Sequence, residues 1–346
     1  MTLRTEGFCK AIILGLFQTT ENAMKAIVYR SYGPPDVLRL EEIDKPAPRD
    51  NEVLIRIHAA SVNPLDWHFM RGTPGLFRLV TGLGKPRSPR LGRDLAGEVE
   101  AVGEAVRQFK PGDAVYGMGR GAFAEFACAL EPELALKPQS VTFEQAAAVP
   151  IAGLTALQAL RDKAHAQPGS KILINGAAGG VGTFAVQMGR SFGAEITAVC
   201  SARNAELVRS IGADHVIDYA REDFTHGDGR YDAILECVGN HPFSSCRRVL
   251  DPGGVYVGIG GGGPDRTSAS ILGMMVKNIA LSWFDSRKMA GMLAKANTAD
   301  LNLINELMTA QKITPVIDRQ YKLSDVPEAI RYLETGHARG KVVIVV

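Results

Sequence analysis

The 346-residue sequence has few cysteines, no long apolar run and no excess of charge of either sign. Its five cysteines are scattered and none forms a C-x-x-C pair, which is typical of reduced thiols in a cytosolic protein and not of a disulfide framework. No apolar run approaches the ~20 residues that span a bilayer. Because 39 basic residues balance 37 acidic ones, charge gives no reason to expect a nucleic acid or an anionic membrane as partner. We therefore expect a cytoplasmic protein.

What the sequence does contain is apolar residues in ordinary proportion and an excess of glycine. Hydrophobic residues make up 46% and charged residues 22%, which excludes a disordered chain because such chains cannot build a core. At roughly 100–200 residues per domain, the length predicts about two domains. The 37 glycines exceed the average share of about 7%, and glycine allows tight bends and close approach to a ligand.

The first 23 residues differ from the pattern that follows them. A short apolar run at residues 11–17 weakly resembles a secretory signal, but Glu6 precedes it and no clear small-residue cleavage site follows. A strand pattern begins directly at Met24. We interpret residues 1–23 as an N-terminal extension or the product of an upstream start site, with a targeting segment as the alternative.

The rest of the chain falls into regions that differ in the order and spacing of their predicted strands and helices. From residue 24 to 142, alternating or β-branched stretches are separated by Gly and Pro turns, which is typical of a β-barrel or sandwich. From residue 143 to 285, short apolar strands alternate with helices, which predicts a parallel sheet covered on both faces. Residues 286–346 carry a helix and a terminal strand. The predicted fold class is α/β, with a β-rich domain beside a doubly wound sheet.

A glycine-rich turn at residues 177–182, called the glycine loop below, lies between a predicted strand and a predicted helix. Glycine lets the backbone approach a pyrophosphate, and the helix N-terminus offers free N–H groups and a partial positive charge. Although Ala177 replaces the first glycine of the usual G-x-G-x-x-G pattern, this setting predicts a dinucleotide site. The residues expected to contact the cofactor here are Ala178, Gly179, Gly180, Val181 and Gly182.

The end of the next predicted strand indicates which dinucleotide is bound. In such folds an acid about 20 residues beyond the loop binds the adenosine 2′-hydroxyl, but residues 200–204 contain none. Ser201 and Arg203 would bind a 2′-phosphate, which a carboxylate would repel. We therefore predict NADP(H) as the cofactor; a solvated residue at a helix start is the alternative for Arg203.

Several motifs together resemble a known family. They are residues 32–35 (YGPP), 60–66 (ASVNPLD), 91–97 (LGRDLAG), 154–156 (LTA), the glycine loop and 340–343 (GKVV). On these motifs the chain from Met24 onward resembles the medium-chain dehydrogenase/reductase superfamily, and within it the zinc-less quinone oxidoreductase branch that includes ζ-crystallin. The resemblance implies a GroES-like β-barrel catalytic domain at 24–142, completed by 286–346. It also implies a Rossmann domain at 143–285, with the active site in the cleft between the two.

The resemblance also concerns zinc. Zinc alcohol dehydrogenases of the superfamily carry Cys where Asn63 stands and His-Glu where Arg93 and Asp94 stand, and residues 73–89 contain no cysteine for their structural lobe. A catalytic zinc needs three protein ligands from Cys, His or carboxylate. We therefore predict no metal site.

Further roles follow from the resemblance residue by residue. Asn63 resembles the asparagine at the nicotinamide and substrate, and Asp66 and His68 are further candidate catalytic residues. The alternative role for Asp66 is to bind the backbone of its own turn. His68 stands where relatives often carry tyrosine, and the alternative for it is a partly buried histidine on a helix. The other residues implied to contact the cofactor are Thr155, Tyr219, Val238, Gly239, Gly260 and Lys341.

The implied reaction is metal-independent hydride transfer from NADPH to a quinone or an α,β-unsaturated carbonyl. Hydrogen-bond donors would stabilise the developing oxyanion or enolate, Asn63 first and His68 second, and the proton would come from His68 or from water. The alternative within enzymes is an NADP-dependent alcohol dehydrogenase, which we disfavour because no Lewis acid would polarise the carbonyl.

A non-catalytic NADPH-binding protein, structural or RNA-binding, is the alternative of a different class. The basic stretch at residues 71–93 would carry RNA binding, but it has no aromatic residue beyond Phe77 for base stacking. We therefore expect no nucleic acid or membrane partner. The resemblance further implies a homodimer, joined through a candidate edge strand at residues 279–284.

Overall fold

The computed structural model describes residues 23–75, 77–260 and 286–346. The interpretation of residues 1–22 and the predicted edge strand at 279–284 lie outside the described residues. Within the described residues, no helix is long and apolar enough to cross a membrane.

The strands and helices are numbered in chain order. The strands are β1 (Ala23–Val28), β2 (Arg39–Asp44), β3 (Glu52–Val62), β4 (Asp94–Val102), β5 (Ala114–Met118), β6 (Phe126–Leu130), β7 (Leu134–Leu136), β8 (Lys171–Asn175), β9 (Glu195–Cys200), β10 (His215–Asp218), β11 (Tyr231–Glu236), β12 (Leu250–Gly258), β13 (Lys288–Gly291), β14 (Ile317–Lys322) and β15 (Lys341–Val345). The α-helices are α1 (Pro64–Arg71), α2 (Phe77–Thr81), α3 (Phe143–Ala147), α4 (Pro150–Gln158), α5 (Gly180–Ser191), α6 (Ala205–Ser210), α7 (Phe243–Cys246), α8 (Thr298–Thr309) and α9 (Val326–Glu334).

One sheet, the catalytic sheet, combines strands from distant parts of the chain. Its seven strands follow the order β14-β15-β3-β4-β5-β7, with β6 also paired to β3. The long strand β3 pairs antiparallel with β15, β4 and β6. β15 therefore lies inside the sheet, between β14 and β3, and β3 precedes it by more than two hundred residues.

The second sheet is parallel and has six strands in the order β10-β9-β8-β11-β12-β13. Numbered within the sheet, this is the 3-2-1-4-5-6 order of dinucleotide-binding folds, in which the ligand crosses the crevice where the order reverses. The reversal falls between β8 and β11. The predicted α/β class with a doubly wound sheet is confirmed.

The predicted domain boundary after residue 285 does not coincide with the edge of this sheet. β13 (Lys288–Gly291) pairs in parallel with β12, so the parallel sheet continues past residue 285. The segment 286–346 is therefore divided, because only β14 and β15 join the catalytic sheet.

The two sheets pack against each other through α4, most of which is buried. Leu154 and Leu157 of this helix belong to one apolar cluster with Ala59 and Ala96 of the catalytic sheet and Ile174 of the parallel sheet. Burying apolar surface contributes about 25 cal/mol per Å². This shared core holds the two domains together beside the cleft.

Candidate active site

The glycine loop connects the end of β8 to the start of α5, as predicted. A Cβ placed on Gly182 would lie 2.2 Å from the Gly176 carbonyl oxygen, so only glycine fits this approach of helix to strand. Gly176 itself has a φ of +81°, which glycine adopts readily. The first N–H groups of α5 have no partner within the helix. The loop therefore offers the close backbone and free donors that a pyrophosphate requires.

The predicted phosphate-binding residues lie beside the end of β9. Tyr219 donates its backbone N–H to the Cys200 carbonyl, which brings the end of β10 against the segment that carries Ser201 and Arg203. Both Arg203 and Tyr219 are exposed. Arg203 makes one long hydrogen bond of 3.3 Å, from Nη2 to the His337 carbonyl. Its guanidinium is thus available to a ligand phosphate.

Glu236, which the sequence analysis did not identify, organises the predicted contacts after β11. Its Oε1 accepts hydrogen bonds from the backbone N–H groups of Val238 at 3.0 Å and Gly239 at 2.8 Å. Its backbone carbonyl accepts the Gly260 N–H at 2.9 Å, and Asn175 Nδ2 donates to both of its carboxylate oxygens. The fully buried carboxylate therefore holds Val238 and Gly239, and the backbone carbonyl of the same residue holds Gly260.

Four buried polar side chains, called the Asp94 cluster below, meet where the two domains touch: Ser61, Asn63, Asp94 and Lys341. Lys341 Nζ donates to Asn63 Oδ1 at 2.6 Å, and Asn63 Nδ2 donates to Asp94 Oδ2 at 2.8 Å. The same Asp94 oxygen accepts the Ser61 hydroxyl at 2.8 Å and lies 3.4 Å from Lys341 Nζ. Burial lowers the pKa of Lys341, although the negative charges of Asp94 and Asp66 act in the opposite direction and raise it.

The Asp94 cluster lies directly against the glycine loop. Gly179 and Gly340 form a parallel backbone bridge, and a Cβ on Gly180 would stand 3.1 Å from Lys341 Cδ. The structure thus brings together the predicted residues Asn63 and Lys341 and the predicted pyrophosphate loop.

Thr155 reaches this region through α4. Its hydroxyl donates to the Ile151 carbonyl at 2.6 Å, and the Ile151 N–H donates to Asp94 Oδ1 at 3.0 Å. The helix that carries Thr155 is therefore anchored on the cluster that contains Asn63. The sequence alone distinguishes Asp94 only as the residue that stands where a zinc ligand would be.

Asp66 is buried in the first turn of α1. Its carboxylate accepts the backbone N–H groups of Asn63 at 2.8 Å and Gly92 at 3.2 Å, which is the turn-binding role named as its alternative. Burial raises the pKa of Asp66 to about 7, although these hydrogen bonds and Lys341 oppose the shift. Asp66 therefore holds the backbone of Asn63 in place.

His68 is half-buried on α1 and stacks between Trp67 and Phe77, with ring centroids 3.7 and 5.3 Å away. Its Nδ1 lies 2.7 Å from the Thr73 carbonyl oxygen. Since a carbonyl only accepts, Nδ1 carries the proton, and in the neutral ring Nε2 is an acceptor. Burial lowers the pKa of His68, which favours this neutral form.

The donor set at the Asp94 cluster does not fit a zinc ion. Asn63 and Asp94 stand at two of the positions where the zinc enzymes carry ligands. The Lys341 ammonium lies 2.6 Å from Asn63 Oδ1 and 3.4 Å from Asp94 Oδ2, so its charge would repel a cation there. Across the part of the chain that the structure describes, no group of three or more His, Cys, Asp or Glu side chains could hold a metal.

A parallel sheet in the dinucleotide order, a glycine loop at its first helix and a polar cluster from a second domain against that loop define a nicotinamide-dependent oxidoreductase. Comparisons with known proteins agree. Residues 49–139 match the family described as alcohol dehydrogenase GroES-like domain, and residues 211–344 match the family described as zinc-binding dehydrogenase. The chain belongs to the medium-chain dehydrogenase/reductase superfamily, in its quinone oxidoreductase branch, as the motifs predicted.

Three relatives illustrate this membership. The chain is 36% identical over 335 residues to the chloroplast envelope quinone oxidoreductase homolog of Arabidopsis thaliana, which covers 93% of this chain and 98% of the relative. It is 34% identical over 336 residues to the 2-methylene-furan-3-one reductase of Solanum lycopersicum, covering 93% and 79%. The solved structure of the quinone oxidoreductase from Coxiella burnetii superimposes with a TM-score of 0.80 at 32% identity, covering 94% of this chain and 99% of that one. The predicted enzyme class, an NAD(P)H-dependent oxidoreductase, is confirmed.

Proposed function

We propose that the protein transfers a hydride from NADPH to a quinone or an α,β-unsaturated carbonyl without a metal ion. The observation that carries the proposal is the contact between the Asp94 cluster and the glycine loop, which places buried hydrogen-bonding groups beside a dinucleotide site. Relatives named as a quinone oxidoreductase and as a furanone reductase support these two substrate classes.

The preference for NADPH over NADH rests on the end of β9. Residues 200–204 contain no acid, so nothing there repels a 2′-phosphate. Ser201 and the exposed Arg203 offer a hydroxyl and a guanidinium, which bind phosphate well. The long hydrogen bond from Arg203 to His337 is easily exchanged for a phosphate contact.

NADPH supplies the hydride when bound, and the chain's own residues align it and stabilise charge. The glycine loop would hold the pyrophosphate, and Thr155 with the residues after β11 would border the nicotinamide. Asn63 has one amide hydrogen bound to Asp94, while the other makes only a 3.4 Å contact with the Ser61 carbonyl. We assign this second hydrogen as the donor to the developing oxyanion or enolate.

The proton required to complete the reduction comes from water in this scheme. At neutral pH the single ring proton of His68 is held by the Thr73 carbonyl, and Nε2 accepts rather than donates. His68 therefore suits contact with a substrate hydroxyl better than the donation of a proton.

Metal independence and the absence of an RNA-binding role are part of the proposal. The Lys341 ammonium in the Asp94 cluster is incompatible with zinc there, which also disfavours a zinc-type alcohol dehydrogenase. In the basic stretch, Arg71 pairs with Glu334 at 2.5 Å, and Arg78 lies over the Tyr32 ring, 4.7 Å from its centroid. These two charges have partners within the protein, and Phe77 is the only aromatic residue of the stretch, which limits base stacking.

Assays of metal-stripped protein test the proposal. NADPH should be oxidised in the presence of a quinone or an enone, and NADH more slowly. Protein that binds NADPH yet turns over neither substrate class would contradict the proposed function. A cytoplasmic homodimer stays a prediction; sedimentation of the purified protein at micromolar concentration tests the oligomeric state.

A further inference from the structure

Asp94, at the start of β4, is a fully buried carboxylate that receives hydrogen bonds from both domains. Ser61 of β3 and Asn63, which directly follows β3, donate to Oδ2, and Ile151 of α4 donates its backbone N–H to Oδ1. Lys341 brings a fourth donor, 3.4 Å from Oδ2. A single side chain thus connects the amide assigned to the substrate and the helix assigned to the nicotinamide.

The chemistry of the contacts requires a carboxylate at this position. A hydroxyl, an amide and an ammonium all direct hydrogens at Oδ2, and only an acceptor without hydrogens of its own satisfies three donors. Buried polar networks of this kind are costly when one member is left unsatisfied. An isosteric asparagine would direct either its own N–H or a weaker acceptor at the same donors.

The contacts also fix the orientation of Asn63. Its Oδ1 accepts from Lys341 and its Nδ2 donates to Asp94, so a flipped amide would face an ammonium with N–H groups and a carboxylate with oxygen. The second amide hydrogen consequently stays on the side of the Ser61 carbonyl, whose oxygen lies 3.4 Å from Asn63 Nδ2.

We propose that Asp94 is a positioning residue: its two oxygens set the Asn63 amide and the N-terminus of α4 relative to each other, so that substrate and nicotinamide meet in reactive geometry. The proposal rests on the proposed function, because it assigns Asn63 to the substrate and α4 to the nicotinamide. Asp94 acts through these groups and does not touch the reacting atoms.

The decisive variant is Asp94→Asn, compared with Asp300→Asn as a matched control. Asp300 is also a buried carboxylate with several donors, among them Gln158 at the other end of α4, but it has no contact with the Asp94 cluster. Three quantities are measured on folded protein: kcat per NADPH-binding site, the dissociation constant of NADPH, and the emission of bound NADPH, which reports the surroundings of the nicotinamide ring.

We expect Asp94→Asn to lower kcat per site by about 100-fold, as a misplacement of about 1 Å does, with little change in the dissociation constant. The bound emission should shift toward that of free NADPH. Asp300→Asn should lower the melting temperature and leave kcat per site and emission unchanged. Wild-type kcat per site and emission in Asp94→Asn, or equal losses in Asp300→Asn, would overturn the proposal.

Two provisions keep the test decisive. If Asp94→Asn does not fold, Ser61→Ala removes one donor to Oδ2 and should lower kcat per site with an unchanged dissociation constant; an unchanged kcat would contradict the positioning role. If the wild type turns over no quinone or enone, the proposed function fails, whereas the emission of bound NADPH still decides whether Asp94 positions the nicotinamide side.

Discussion

Lys341 donates a hydrogen bond of 2.6 Å to the side-chain oxygen of Asn63, although 278 residues separate them in the chain. The antiparallel pairing of β15 with β3, which places Val342 opposite Val62, brings them together. Both side chains are buried. The lysine that the family resemblance assigned to the cofactor thus also holds the amide assigned to the substrate.

Replacing Lys341 by methionine should destabilise the protein strongly. The change leaves Asp94 buried without its ammonium, and breaking a buried pair in this way costs about 3–5 kcal/mol. Urea unfolding of Lys341→Met measures the loss, with the exposed Lys322→Met at the end of β14 as the control. Equal midpoints for the two variants would show that the pair contributes nothing.

The titration of Asp66 should appear in the pH dependence of stability. Burial raises its pKa in the folded protein to about 7 from the ordinary 3.8, so the folded state binds more protons between these values. The stability that Asp66 contributes is therefore complete below about pH 4 and is lost as the pH rises through about 7.

Comparison with Asp66→Asn isolates this effect. The free energy of unfolding of the wild type should fall relative to that of the variant from about pH 4 to about pH 7, and the difference should then stay constant. Urea unfolding at several pH values measures it. Parallel curves over this range would show that Asp66 titrates normally.

Arg203 should determine the choice of cofactor. Removing a charge-assisted hydrogen bond costs about 1.5–3 kcal/mol, so Arg203→Ala should raise KM for NADPH by about 10- to 100-fold. KM for NADH should stay nearly unchanged, because NADH lacks the 2′-phosphate. The exposed Arg209→Ala on α6 serves as the control, and equal effects of Arg203→Ala on both cofactors would refute the phosphate contact.

Gly182→Ala should weaken NADPH binding without unfolding the protein. The added Cβ meets the Gly176 carbonyl oxygen at 2.2 Å, so the loop must move away from α5. We expect the dissociation constant to rise by about tenfold or more, equivalent to about 1.4 kcal/mol. Gly291→Ala, which meets open space in β13, is the matched control, and wild-type affinity in Gly182→Ala would argue against the glycine loop as the pyrophosphate site.

The local motifs were predictable from the sequence, and the buried polar contacts were not. The glycine loop depends on neighbours within about ten residues, so strand, turn and helix signals coincide there. The partners of Asp94 lie up to 247 residues away, and no local pattern reports such a pairing. Glu236 gave a weak signal, an acid at the end of an apolar strand.

The error at the domain boundary has a similar cause. The sequence of β13 is Lys-Met-Ala-Gly, which contains neither β-branched residues nor an apolar alternation. Its strand conformation comes from pairing with β12 and not from intrinsic propensity. The place of β13 at the edge of the sheet therefore follows from the three-dimensional structure and not from its own residues.

The parallel sheet is inserted between β7 and β14 of the catalytic sheet, and this arrangement makes it exchangeable. The parallel sheet of a relative could replace it as one unit, altering cofactor preference while leaving the catalytic sheet intact. Besides the apolar core that α4 shares with the catalytic sheet, two contacts would have to be rebuilt in any such chimaera: the hydrogen bond from Ile151 to Asp94 and the packing of Gly180 on Lys341. An exchange that keeps the sheets and the shared core but loses these two contacts should yield a protein that folds and binds its nucleotide but has no catalytic activity.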